Sequence, residues 1–330
     1  MDLTRQTVVL NRERKVTLAA FIAHQNKTPA ILILPGGAYN ECSINEGKPV
    51  AEKFNSLGFN SFVLCYSVGK HYKWPYPLDD LESATEYIKL HSDEFFIDPE
   101  KIILAGFSAG GHLAGAGATI AKNKPFAAIL CYPALNRSTI EYSAPGAPDI
   151  PDCVDEDTCP CFLASSRNDW IVPIDNTHRF INALDKNYID YEEHIYGFSM
   201  HGFSIGKEVN AVPPLFCSRV GDWVEESATW IDDLISGRYI SIRDGAEYQD
   251  SHSKYFSSKN SVGLIFGDEE ARKALKKKHL KYYLLIEASK CKIGDFVERV
   301  TVRNVLSFLK VNQKEFEKID ETLKTIPIKR

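Results

Sequence analysis

The sequence predicts an α/β fold, a mostly parallel eight-stranded sheet flanked by helices with a small helical module after it. Three observations carry this. Short apolar runs rich in β-branched residues alternate with helical patterns up to about residue 240, as crossover-connected parallel strands require. The 330-residue chain exceeds a usual domain of about 100 to 200 residues. Charge is uneven: residues 1–240 carry 20 Lys and Arg against 31 Asp and Glu, net −11, whereas residues 241–330 carry 19 against 13, net +6. A boundary near residue 240 follows.

Strands are expected at 7–10, 16–22, 30–34, 61–66, 101–105, 127–132, 161–165 and 191–196. The first two have no helix between them and should form an antiparallel hairpin. Helical patterns fit 47–57, 78–91, 109–121, 174–184 and 216–235. Residues 136–160, rich in Pro and acids, are too irregular for a regular element and read as a loop or small lid flanking the active site. The polar stretch 241–260 reads as a linker, and residues 261–330 as a small basic helical module. Its helices are expected at 268–280, 300–308 and 313–323, with Asp268 capping the first and Asn312 or the residue after it starting the last.

A composition of 44% hydrophobic, 25% charged and 11% aromatic residues excludes disordered, collagen-like and coiled-coil readings. No apolar run approaches the roughly 20 residues of a membrane span, so no membrane association is expected. The start, Met-Asp-Leu-Thr-Arg-Gln, does not read as a secretory signal, and the expected compartment is the cytoplasm. The cysteines at 42, 65, 131, 153, 159, 161, 217 and 291 form no disulfide framework or zinc pattern, so no metal site is expected. The lysines of the basic module are interleaved with acids and aromatics. That argues for a solvated helix surface or docking onto the acidic domain rather than nucleic-acid binding; homo-oligomerisation through the module is a further reading.

The strongest chemical signal is Gly106-Phe107-Ser108-Ala109-Gly110, directly after the strand Ile102-Ile103-Leu104-Ala105 and before a helical run. A serine at a sharp strand-to-helix turn needs small residues such as Gly106 and Gly110 around it, and the following helix N-terminus aims amides at developing negative charge. Serine is a weak nucleophile and needs a base oriented by a carboxylate. Asp169 follows one later strand in Arg167-Asn168-Asp169-Trp170, and His201 follows the next in Ser199-Met200-His201-Gly202-Phe203. Both fall at carboxyl ends of strands, the edge that carries Ser108. The other histidines are read as packed or surface residues, His112 as packed beside the turn. Asp155, Asp157 and Asp175 are alternative carboxylates in poorer contexts.

A hole for the oxyanion needs two donors. The amide of Ala109 is one; Leu34-Pro35-Gly36-Gly37-Ala38-Tyr39, just after a core strand, offers that of Gly37 or Ala38 as the other. Tyr39, Tyr66, Trp74, Trp170 and Phe203 are candidate substrate-pocket residues, with a core reading as the alternative for each.

These stretches, with Glu46-Gly47-Lys48-Pro49-Val50-Ala51, Pro77-Leu78-Asp79-Asp80-Leu81, Leu130-Cys131-Tyr132-Pro133 and Gly110-Gly111-His112-Leu113-Ala114 after the serine, resemble the α/β-hydrolase fold of the hormone-sensitive-lipase-like and acetyl-xylan-esterase-like carbohydrate esterase group over residues 1–236. Within it the chain is most similar to bacterial esterases that remove acetyl groups from plant sugars. It departs in carrying Pro35-Gly36-Gly37-Ala38 where lipases carry His-Gly-Gly-Gly. The resemblance implies a cofactor-free serine esterase acting on short acyl esters, O-acetyl groups of xylo-oligosaccharides or related sugars above all. The alternatives are a serine peptidase or amidase, a general short-chain carboxylesterase, and a non-catalytic binding protein. A neutral imidazole as base predicts activity rising with pH through about 6.5.

Overall fold

Alternation along the central strands defines the layers. The computed structural model describes residues 4–206 and 217–329, and the chain divides into two compact units, Met1–Tyr239 and Ile240–Arg330. In the first unit, β1 (Thr4–Asn11), β2 (Val16–Ile22), β3 (Thr28–Leu34), β4 (Asn60–Cys65), β5 (Ile97–Phe107), β6 (Ala127–Cys131), β7 (Cys161–Ser166) and β8 (Tyr191–Tyr196) form one sheet in the order 1-2-4-3-5-6-7-8. The hairpin β1–β2 and the pair β2–β4 are antiparallel; the other pairs are parallel. Ile31 and Ile33 of β3 face one core with Val50 and Phe54 of α1 (Lys48–Ser56), while Leu32 and Leu34 face the other with Leu81 of α2 (Tyr76–Leu90) and Leu113 of α3 (Ala109–Thr119). Both faces of the central strands are therefore covered, and these strands read as continuous apolar runs.

The strand order reverses between β3 and β5, so the loop after β3 and the turn after β5 open onto one crevice at the carboxyl edge. β5 begins four residues earlier than its apolar pattern indicates. Asp98-Pro99 reads as a break in the sequence, but Pro99 lies where the β3–β5 register shifts, a position that tolerates a missing ladder donor.

Residues 136–160 correct the expectation of an irregular loop. They contain α4 (Arg137–Ile140) and a 3₁₀ turn at Ile150–Cys153. Ile140, Ala144, Ala147 and Ile150 are buried in the same core as Leu113 of α3. The segment is a packed cover whose short apolar residues are too widely spaced to show a period. α5 (Asp175–Lys186) follows β7, and α6 (Trp223–Ser236) ends the unit. The sequence starts this last helix at Phe216, which lies outside the described residues; residues 218–222 form turns, with Gly221 packed against the Ile205 carbonyl.

The second unit has its own core, with Val262, Ile265, Leu275, Ile286, Leu306 and Ile319 buried. The expected linker is corrected: residues 241–260 carry a 3₁₀ turn and α7 (Ala246–His252), and Asp250 accepts the amide of Ser261 at 2.9 Å. After α8 (Val262–Gly267), α9 (Glu269–Lys278) is capped by Asp268 and α12 (Gln313–Leu323) by Asn312, as expected. Between them, α11 (Val302–Phe308) is preceded by α10 (Leu280–Ile293), which the sequence does not announce. Ile286 is buried but Leu280 and Leu284 are exposed, so apolar residues lie all round α10 and no helical period stands out. No helix among the described residues is long and apolar enough to cross a membrane. Among them no group of three or more His, Cys, Asp or Glu is placed to hold a metal ion.

Candidate active site

Ser108 sits between β5 and α3 with φ 52° and ψ −115°, a conformation that L-residues adopt only under constraint. The constraint comes from packing. A Cβ on Gly106 would lie 2.3 Å from the Gly110 carbonyl oxygen, and one on Gly110 would lie 2.0 Å from that of Leu34. Two glycines therefore let strand, helix and the loop after β3 close on one another. The turn is held by the Ser108 amide donating to Cys131 at 3.0 Å and by the Ser108 carbonyl accepting from Ala134 at 3.1 Å.

Asp169 and His201 meet this serine. The imidazole Nδ1–H donates to Asp169 Oδ2 at 2.7 Å, which leaves Nε2 to accept the Ser108 hydroxyl at 2.8 Å. The Asp169 side chain is almost fully buried, and its other oxygen accepts the amides of Ile171 and Val172 at 2.8 and 2.9 Å. Those two amides fix the orientation of the carboxylate. Asn168 fastens the two loops, its Oδ1 accepting from the Ser199 amide at 3.1 Å and the Ser166 hydroxyl at 3.0 Å. Asp175 instead accepts Asn136, and Asp155 closes a turn with Thr158, so neither reaches the histidine.

After β3 the chain turns sharply, with Ala38 at φ 52° and Tyr39 at φ 57°. The Gly37 carbonyl closes this turn by accepting from Asn40 and Glu41. Among the described residues, the amides of Gly37, Ala38 and Ala109 have no protein acceptor. Unpaired main-chain donors around a nucleophile are what an oxyanion requires.

The pocket expectation needs correction at three residues. Tyr39, Tyr66 and Phe203 are buried. Tyr66 donates to the Pro35 carbonyl at 2.6 Å, Tyr39 bonds His112 Nδ1 at 2.9 Å, and Phe203 packs edge-on against Tyr132. The two tyrosine hydroxyls have protein partners and the Phe203 ring is packed in the core, so these residues brace the loops. Trp74 is half-buried with its ring edge-on to His112, and Trp170 is 82% exposed beside Asp169. His112 is buried, its Nε2–H donating to the Pro148 carbonyl at 3.0 Å; burial lowers its pKa to about 4. The ring is therefore neutral and ties the cover segment to the helix after Ser108.

Sequence reasoning passed over Glu46 and Tyr132. The Glu46 carboxylate is buried, accepting the Gly36 amide and the Tyr132 hydroxyl, each at 2.7 Å. Burial raises its pKa, opposed by those two hydrogen bonds and then by His201. A buried acid next to the oxyanion turn has no local sequence mark, because its partners lie 10 and 86 residues away.

This sheet, with a strained serine at the switch point and a histidine and an aspartate joined to it, defines an α/β-hydrolase scaffold. Residues 20–144 match the BD-FAE family model. The α/β hydrolase enzyme MGS-M1, from a Medee basin deep-sea metagenome library, is 34% identical with a TM-score of 0.66, covering 71% of this chain and 98% of that one. The acetyl ester-xyloside bifunctional hydrolase of Caldicellulosiruptor lactoaceticus is 27% identical with a TM-score of 0.61, over 69% and 96%. The chain belongs to the α/β-hydrolase family. An acetylxylan esterase of Xylanibacter ruminicola is 25% identical over 283 residues, 78% of this chain and 58% of that protein. Endo-1,4-beta-xylanase B of Butyrivibrio fibrisolvens is 28% identical over 212 residues, 55% of this chain and 33% of that protein. The chain thus spans a third to just over half of the length of these curated relatives.

Proposed function

We propose that the protein is a serine esterase that removes O-acetyl groups from xylo-oligosaccharides or related plant sugars. The observation that carries the reading is the continuous hydrogen-bond path from the Ser108 hydroxyl through both nitrogens of His201 to buried Asp169. Ser108 Oγ attacks the ester carbonyl while its proton passes to His201 Nε2, and Asp169 holds the resulting imidazolium. The tetrahedral oxygen accepts from the Ala109 amide and from Gly37 or Ala38. His201 then returns the proton to the departing sugar oxygen as the C–O bond breaks. Water, deprotonated by the same histidine, releases acetate and restores Ser108.

The sugar ester is supported by the named activities of the relatives, an acetylxylan esterase and an acetyl ester-xyloside hydrolase. The exposed indole of Trp170 beside the triad is suited to stacking on a sugar ring. The test is acetate release from acetylated xylo-oligosaccharides by wild type and Ser108→Ala, with p-nitrophenyl acetate, a longer-chain ester and an aminoacyl anilide alongside. Serine-dependent release from the sugar is expected. Cleavage confined to simple esters would remove the sugar from the reading, and cleavage of the anilide alone would replace it with an amidase.

A further inference from the structure

The hydrolysis scheme leaves one buried acid unused. Glu46 lies on the turn before α1, with one oxygen on the Gly36 amide and the other on the Tyr132 hydroxyl. That hydroxyl also accepts the amide of Ser204 at 3.1 Å, and Ser204 is itself pinned, its hydroxyl donating to the Asn45 carbonyl and its carbonyl accepting Trp223 Nε1. The Tyr132 ring stands edge-on to the His201 ring with centroids 5.0 Å apart. A path of hydrogen bonds therefore runs from Gly36, beside the oxyanion amides, to Ser204, three residues past the base.

We propose that Glu46 and Tyr132 are positioning residues that hold the oxyanion loop and the His201 loop in register. The inference rests on the esterase reading above. The donor set explains why an acid stands here: an amide N–H and a phenol approach two different oxygens, and only a carboxylate offers both as acceptors. Interior burial of such a charge is costly without partners. Here it has two donors, the Gly36 amide and the Tyr132 hydroxyl.

The experiment compares kcat and KM for acetate release from p-nitrophenyl acetate in wild type, Glu46→Gln, Tyr132→Phe and Ser108→Ala. Glu46→Gln is expected to lower kcat about tenfold with KM unchanged. Tyr132→Phe should lower kcat by a similar factor, also with KM unchanged. Wild-type kcat in Tyr132→Phe or in a folded Glu46→Gln, or a change confined to KM in either, overturns the inference; should Glu46→Gln not fold, Tyr132→Phe decides alone. Ser108→Ala separates the two levels, because undiminished activity there removes the esterase reading and this inference with it.

Discussion

The turn at Ser108 and the exposed side chains of Trp170, Ile171, Phe198 and Met200 lie within a few residues of the same hydrogen-bonded Ser108, His201 and Asp169, yet they obey opposite constraints. At the turn, missing Cβ atoms let three chain segments meet at less than van der Waals distance from where a methyl would sit. The four side chains are between 41% and 82% exposed. The turn is thus specified by packing that leaves no room for an added methyl, whereas the exposed side chains are under no such packing constraint.

Four measurements sharpen or break this contrast. Ser108→Ala is expected to lower kcat/KM at least about 10⁴-fold while leaving the melting transition in place; retained turnover would separate the turn from the chemistry. Gly110→Ala should destabilise the fold by about 3 kcal/mol or more, read by urea denaturation, because the new methyl meets the Leu34 and Pro35 carbonyls. A wild-type midpoint would mean that the turn has slack.

His112 extends the comparison to pH. Folded His112 stays neutral down to about 4, whereas the unfolded chain takes up a proton near its ordinary 6.5. Between those values the unfolded state binds more protons, so stability is complete above about 6.5 and falls as pH drops towards 4, by about 3 kcal/mol. Urea titrations at several pH values should show this slope in wild type and a shallower one in His112→Gln. The smallest effect is expected at an exposed side chain. Trp170→Ala should change stability by less than about 0.5 kcal/mol. It should raise KM for an acetylated xylo-oligosaccharide a few-fold, about 1 kcal/mol, without altering p-nitrophenyl acetate turnover. Equal effects on both substrates would make Trp170 part of the interior apparatus.

Much of this was legible in the chain. Each of the eight strands overlaps its expected apolar run, and the central strands are the plainest because a strand buried on both faces has a short-range signature. Ser108, Asp169 and His201 are marked by their position after strands, and the structure brings them into hydrogen-bond contact. Helix α10 escaped because its apolar residues have no period, and residues 136–160 escaped because isolated small apolar residues carry no pattern until a neighbour buries them.

By itself, then, the sequence determined the α/β class, the strand order of the chemical motifs and the glycines that permit the turn, since each depends on residues within a few positions of one another. Tertiary structure alone decided that Tyr39, Tyr66 and Phe203 are braces, that Trp170 is exposed, and that Glu46 joins Gly36 to Tyr132. The physical reason is that burial and buried hydrogen bonds are properties of contacts made across the sheet. Tyr132 and Glu46 are 86 residues apart in the chain and 2.7 Å apart in the fold.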